Sequence, residues 1–329
     1  MPSIQSAQLQ GMYTALMTPM LDSGHPWAKE IDFPKLEKLL DVQLAAQVRG
    51  ILACGTTGQS ASLDDDFLNL AVFINTYVQS KSPDTQLIYG AGSNSTGKAI
   101  KQTRSIEVAV GPATFLHVTG YYNNPTQEGL INHFTTIADN LVYPESNIIM
   151  YNVPGRTNSK LEAKTVIELA KHPKIIGIKE ASGDLEHVRQ IIKGTDRSRF
   201  TVLSGEDDQV TEIIRIGGYG VISAAANVAP RYFVEMTEYA LKGDHTKAAE
   251  MQEHILPLVQ AVFAVKNPIP LAYMLHSNVR IPLVGVLDLK EPKRTEVLKK
   301  IHESLELYKL DNLGINLDNF RISCRYPLE

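Results

Sequence analysis

The chain is poor in cysteine. Its two, Cys54 and Cys324, make neither a disulfide framework nor a metal spacing, and a reducing, cytosolic compartment fits that usage best. Long apolar runs are also missing, which excludes a membrane-spanning helix. No long basic run occurs and the formal charge is -4, so nothing supports a nucleic-acid surface. The stretch from Met1 to Gly11 has no basic flank, no apolar block and no arginine, so it reads as neither a secretion signal nor a transit peptide. The histidines are scattered without H-E-x-x-H or paired spacing, and no metal site is expected. What is present is apolar content of 43% against 21% charged residues. A substantial core can form, and disorder is not expected.

One lysine stands out. The run Lys174-Ile175-Ile176-Gly177-Ile178-Lys179-Glu180-Ala181-Ser182-Gly183 reads as a buried strand between Pro173 and a loop. A lysine at the end of such a strand is costly unless it is paired or used. Burial disfavours the ammonium, lowers the pKa and makes the amine a nucleophile toward carbonyls. Alternation puts Lys179 and Glu180 on opposite faces, so Glu180 is not its partner. The plain alternative is a lysine that snorkels out of the strand end.

The rest of the chain alternates strand and helix. Strands are predicted at Met12 to Thr18, Arg49 to Cys54, Gln86 to Gly90, Thr114 to Thr119, Asn147 to Asn152, Ile175 to Glu180, Thr201 to Ser204 and Gly220 to Ser223. Helices are predicted at Asp32 to Ala46, Asp64 to Lys81, Ser95 to Val108, Gln127 to Asp139, Leu161 to Lys171, Asp184 to Lys193, Asp207 to Ile216 and Pro230 to Lys242. Asp64-Asp65-Asp66 reads as an acidic first helical turn rather than a metal triplet. Eight such units of about 29 residues each predict a closed (β/α)₈ barrel over residues 1–242. A doubly wound sheet is the competitor. Residues 243–329 read as a helical appendix, broken at Pro257, Pro268, Pro270 and Pro282, and a tail.

A barrel of this kind places its site at the C-terminal ends of the strands. Strand two delivers Gly55-Thr56-Thr57-Gly58, a candidate carboxylate cradle. Strand four delivers Gly120-Tyr121-Tyr122-Asn123-Asn124-Pro125, and strand five Tyr151-Asn152-Val153-Pro154-Gly155-Arg156-Thr157. Strand seven ends in Ser204-Gly205-Glu206-Asp207-Asp208 and strand eight in Ile222-Ser223-Ala224. An amine, phenols and hydroxyls therefore converge, with an arginine on the following loop. Schiff-base chemistry needs a deprotonated amine and a proton relay, and an arginine can hold a carboxylate. Taken singly, the tyrosines read equally as packing or interface residues. Gly90-Ala91-Gly92-Ser93-Asn94-Ser95 lacks the third glycine of a dinucleotide loop, and no cofactor is expected.

These motifs, with Gly-Ile-Lys-Glu-Ala-Ser-Gly and Gly-Val-Ile-Ser, resemble the pyruvate-dependent class I aldolases of the dihydrodipicolinate synthase and N-acetylneuraminate lyase superfamily. The likeness runs from Thr14-Ala15-Leu16-Met17-Thr18-Pro19 to Asn267-Pro268-Ile269-Pro270. Arg156 and Gly-Thr-Thr-Gly favour the synthase branch over the sialic acid lyases, and the end of the chain, around Asn316 to Tyr326, resembles plant-type members. The resemblance implies condensation of pyruvate with aspartate semialdehyde in lysine biosynthesis. It implies Lys179 as the Schiff-base residue, Tyr151 as proton donor and acceptor, and Thr56 and Tyr122 as the rest of the relay. Tyr122 would reach in from a neighbouring subunit of a homo-oligomer, either dimer or tetramer. Thr57, Arg156, Gly205 and the backbone at Ile222 are implied substrate contacts. A sugar-acid or sialic acid aldolase, and a catalytically silent barrel, are the competing expectations.

The sequence departs from the family at several places. Gln59 stands for a glutamate, Gly120 for a proline, and Lys266 for a glutamate. At the positions where family members bind inhibitory lysine it carries Asp65, Leu68 and Lys98. Lys98 would repel a lysine ammonium where a carboxylate attracts it elsewhere in the family. Free lysine is therefore expected not to inhibit; sub-millimolar inhibition in a steady-state assay contradicts this.

Overall fold

The computed structural model describes residues 9–23, 25 and 27–309. Most of the stretch from Met1 to Gly11, the chain end around Asn316 to Tyr326, and Cys324 lie outside the described residues. Eight parallel strands close into a barrel in chain order. They are β1 (Gly11–Ala15), β2 (Gly50–Ala53), β3 (Gln86–Gly90), β4 (Thr114–Val118), β5 (Asn147–Asn152), β6 (Ile175–Glu180), β7 (Thr201–Ser204) and β8 (Gly220–Ser223). β1 pairs with both β2 and β8, which closes the ring. The fold is the (β/α)₈ barrel that the alternation predicts.

The strands are short and buried on both faces, which is why they read as continuous apolar runs rather than alternating ones. Leu52, Ile88, Leu116, Ile149, Leu203 and Ile222 point inward and fill the barrel. Ile51, Ile148, Ile178 and Val221 point outward against the helices. Each fully buried side chain of this size contributes roughly 1.5–3 kcal/mol.

Around the strands lie α1 (Phe33–Ala45), α2 (Asp66–Lys81), α3 (Thr96–Val110), α4 (Gln127–Asp139), α5 (Pro154–Thr157), α6 (Ala163–Leu169), α7 (Leu185–Gly194), α8 (Val210–Arg215) and α9 (Pro230–Leu241). Several start on a side-chain cap. Asp32 accepts from Lys35 N at 3.0 Å, Ser95 from Lys98 N at 3.3 Å, and Asp184 from His187 N at 3.0 Å. The helix expected from Asp64 begins at Asp66, because Asp64 takes φ +46° in the turn before it. Asp66 forms an ion pair with the buried Arg280. The helix expected at Leu161 to Lys171 is shorter, and the four-residue α5 precedes it, directly after β5.

Beyond α9 come α10 (His245–Val262), α11 (Ile269–Met274) and α12 (Lys293–Lys309). Pro257 does not break the chain into two helices as expected; it sits inside α10. The ring removes one backbone donor, but Ile255, Leu258 and Val259 on either side are buried and hold the helix together by packing. Among the described residues no helix is long and apolar enough to cross a membrane.

The seam between β1 and β8 has a strict size limit. Gly220 pairs with Gly11, adopts φ +151°, and a methyl group there would lie 2.0 Å from the Gly11 carbonyl oxygen. Gly220→Ala is expected to lower stability by at least ~2 kcal/mol. An unchanged denaturant midpoint would show that the seam tolerates the methyl.

Candidate active site

β6 carries Lys179 to the rim of the barrel, where it is 6% exposed. Its cross-strand partner is Tyr151 of β5, and Nζ lies 4.6 Å from the centre of the phenol ring. On the other side Gly205 follows the end of β7. A methyl group at Gly205 would come within 3.0 Å of Lys179 Cε and 2.7 Å of Ala181 Cβ. The glycine thus makes room for the lysine stem.

Burial lowers the Lys179 amine to about 8; the negative charges of Asp207 and Glu206 oppose this, and Arg156 reinforces it. At pH 7 roughly a tenth of the amine is unprotonated, against a few parts in ten thousand for a lysine in water. The same burial acts in the opposite sense on the neighbouring acid. Tyr151 is pushed up to about 12, mainly by burial, with Arg156 and the hydroxyl of Thr56 pulling it down and Glu206 and Asp207 pushing it up. At neutral pH the pair is an amine that can lose its proton beside a phenol that keeps its own.

Both groups face a cavity of about 100 Å³. Thr56 and Thr57 line it from the loop after β2, Arg156 from α5, and Gly205 and Ile222 from the ends of β7 and β8. The loop after β2 folds back on itself, with Ser60 N donating to Gly55 O at 3.3 Å and Gln59 N to Thr56 O at 3.0 Å. Pro154 starts α5 and Asn158, at φ +54°, ends it, which places Arg156 on a single short turn just beyond β5. The Arg156 guanidinium donates to the Asn267 carbonyl at 3.3 Å.

Seven of the residues expected at the site are brought together here; Tyr122 is not. It sits on the loop after β4 at φ +72°, is 93% exposed, and does not line the cavity of its own chain. Gln59 is buried, and both ends of its amide are used: Nε2 donates to Thr18 O at 3.1 Å and Oε1 accepts from Arg280 N at 2.9 Å. An ionised glutamate could not make the first of these bonds.

Three contributors were not assigned from sequence. Glu206 lines the cavity, and burial raises its carboxyl to about 7, helped by Asp208 and Asp207. Asp207 is 1% exposed. Its Oδ2 accepts from Ala224 N and Ala225 N, both at 3.1 Å, tying the end of β7 to that of β8, and burial raises its pKa. Asn267 lies between α10 and α11 and donates to Thr57 Oγ1 at 2.9 Å. The signal for the acids was their place directly after a barrel strand. Asn267 had no such signal, because its role depends on how the segment beyond the barrel folds back.

The sequence model of the Dihydrodipicolinate synthetase family matches residues 8–303. The chain belongs to this family. A 4-hydroxy-tetrahydrodipicolinate synthase of Methanocaldococcus jannaschii is 40% identical over 307 residues, 93% of this chain and 99% of that one. The enzyme of the same name from Pseudomonas putida is 40% identical over 282 residues, 84% and 92% of the two chains. Among solved structures, the chloride-inhibited dihydrodipicolinate synthase of Acinetobacter baumannii, complexed with pyruvate, superposes with a TM-score of 0.81 at 32% identity, covering 90% of this chain and 99% of that one. A monomeric dihydrodipicolinate synthase variant gives 0.81 at 33% identity, with 92% and 98% covered.

The lowered amine has a readable consequence. Borohydride trapping of a small keto acid on the protein is expected to quicken about tenfold per pH unit and to level off near pH 8. A rate still climbing at about pH 10, as for a lysine in water, contradicts the assignment.

Proposed function

We infer that the protein is a Schiff-base lyase, a 4-hydroxy-tetrahydrodipicolinate synthase that condenses pyruvate with L-aspartate 4-semialdehyde on the route to lysine. The observation that carries this reading is the buried Lys179, its ammonium disfavoured, facing a protonated Tyr151 in a cavity rimmed by Arg156. The family membership and the pyruvate complex of the Acinetobacter relative support the choice of first substrate.

In this reading Lys179 Nζ attacks the keto carbon of pyruvate. Tyr151 gives its proton to the oxygen that becomes the carbinolamine hydroxyl, and loss of water leaves the imine. Tyr151, left as the phenolate when the hydroxyl departs as water, takes a methyl proton to give the enamine; the terminal carbon of the enamine attacks the aldehyde carbon of the second substrate, and Tyr151 returns the proton to the aldehyde oxygen. The amino group of that substrate then displaces Lys179 from the imine carbon, closing the ring and freeing the lysine. Thr56 and the hydroxyl of Tyr122 pass protons between Tyr151 and solvent. Tyr122 performs this role from a second copy of the chain, a reading its near-complete exposure supports. Thr57, Gly205 and the Ile222 backbone hold pyruvate, and Arg156 receives the carboxylate of the semialdehyde in a fork of two hydrogen bonds. That forked recognition disfavours the sugar-acid aldolase reading. The division into a barrel over residues 1–242 and an appendix from 243 belongs to the same proposal; the gap between Leu241 and His245 supports it.

Purified protein is expected to consume pyruvate only when aspartate semialdehyde is supplied. Consumption without it, or cleavage of 2-keto-3-deoxy acids in its place, would move the protein to another branch of the superfamily. Lys179→Ala is expected to abolish the borohydride-trapped pyruvate adduct, and a retained adduct would exclude Lys179 as its site.

A further inference from the structure

β6 does not run regularly against β5. Ile148 is opposite Ile175, yet the next residue of β5, Ile149, is opposite Gly177, so β6 carries one extra residue at Ile176. The other described strand pairs show no such shift. The layers record the result. Ile175 and Ile178 lie in the outer cluster, facing helices, whereas Ile176 lies in the inner one. Gly177 also faces in: a methyl there would meet the inner-layer Leu9 at 3.2 Å and the Thr201 carbonyl at 2.6 Å. Two successive residues thus point the same way, and the alternation advances by one. Counted regularly from Ile175, Lys179 would point outward and Glu180 inward. The bulge is what re-aims the lysine.

The outer face at that level is occupied by a polar pair. Asn152 and Glu180 are cross-strand partners, buried at 0% and 1% exposure, one residue beyond Tyr151 and Lys179 on their strands. Asn152 Nδ2 donates to both carboxylate oxygens, at 3.1 and 2.9 Å, and Asn152 Oδ1 accepts from Leu161 N at 3.0 Å. Glu180 Oε1 also accepts from Ser182 N at 2.9 Å, and Oε2 lies 3.4 Å from His187 Nε2 on α7. A buried carboxylate is tolerated only with such partners. These partners meet it in one register only. A slip of one residue would turn Glu180 into the apolar barrel and strand Asn152 against the helices.

We propose that the Asn152–Glu180 pair is a positioning lock, holding β6 in the bulged phase that turns Lys179 toward Tyr151, without touching substrate. The proposal rests on Lys179 being the imine-forming residue. A displacement of about 1 Å in a reacting group is enough to slow a reaction about a hundredfold, so a weakened lock should show in rate before it shows in fold.

The experiment follows single-turnover borohydride trapping of pyruvate by intact mass, with steady-state kcat and KM, per folded molecule judged by near-ultraviolet circular dichroism. Asn152→Asp sets two carboxylates against each other. The double variant Asn152→Asp with Glu180→Gln exchanges donor and acceptor and restores the bond. The single variant is expected to lose about thirtyfold or more in trapping rate and kcat with KM for pyruvate changed less than about threefold, and the double to recover to within about fivefold. If Asn152→Asp does not fold, Glu180→Gln alone is compared with the double by the same measurements. Variants that trap at the unaltered rate, or a double no better than the slower single, overturn the lock and leave the assigned function standing. Absence of an adduct on the unaltered protein overturns both.

Discussion

The site depends on taking one amine out of water. The barrel interior leaves Lys179 so little solvent that its ammonium is disfavoured, and the fall from 10.5 to about 8 corresponds to a penalty on the order of 3 kcal/mol. The sign is that of a strained group: the penalty is full below about pH 8, fades as pH approaches the solvent value of the side chain, and is gone above it. Fold stability and reactivity are therefore opposed at this residue, as expected where a core position is given to chemistry. Glu206 and Asp207 limit the penalty by supplying negative charge from the adjacent strand end. They act without a direct ion pair that would fix the proton on the amine.

The two ends of the pair respond to the same desolvation in opposite ways. Burial makes the lysine give up its proton more readily and the tyrosine hold its own more firmly, which is the tendency that amine attack followed by protonation of the developing oxygen requires. Arg156 lowers both, reinforcing burial at the ammonium and opposing it at the phenol, since its positive charge disfavours the ammonium and favours the phenolate. One low-polarity environment thus shifts the two groups in opposite directions, with a single cation drawing both downward.

Much of this was legible in the sequence for local reasons. Strand runs bounded by turn residues, side-chain caps and the repeat of eight units depend on residues near one another in the chain. So does the placing of Lys179, Tyr151, Thr56, Thr57 and Arg156 at strand ends. What escaped was non-local. The extra residue in β6 cannot be read from Ile175-Ile176-Gly177-Ile178, because every residue of that run is compatible with either phase. The helix through Pro257 escaped because tertiary packing overrode a local rule. The role of Asn267 escaped because the segment carrying it returns to the barrel from beyond the last strand. Tyr122 did not escape: the resemblance implies it as a residue supplied by a neighbouring subunit, and in its own chain its ring is in solvent.

The bond from Asn267 to Thr57, and the acceptance by its carbonyl of Arg156, make the region after the barrel part of the pocket wall. Thr57 and Arg156, carried by two different segments, are laced to one residue. Any strain on α10 or α11, the helices flanking that residue, is delivered to two parts of the cavity wall at once. The catalytic barrel is therefore mechanically coupled to its own appendix, and the pocket's shape reports on how firmly those outer helices are seated.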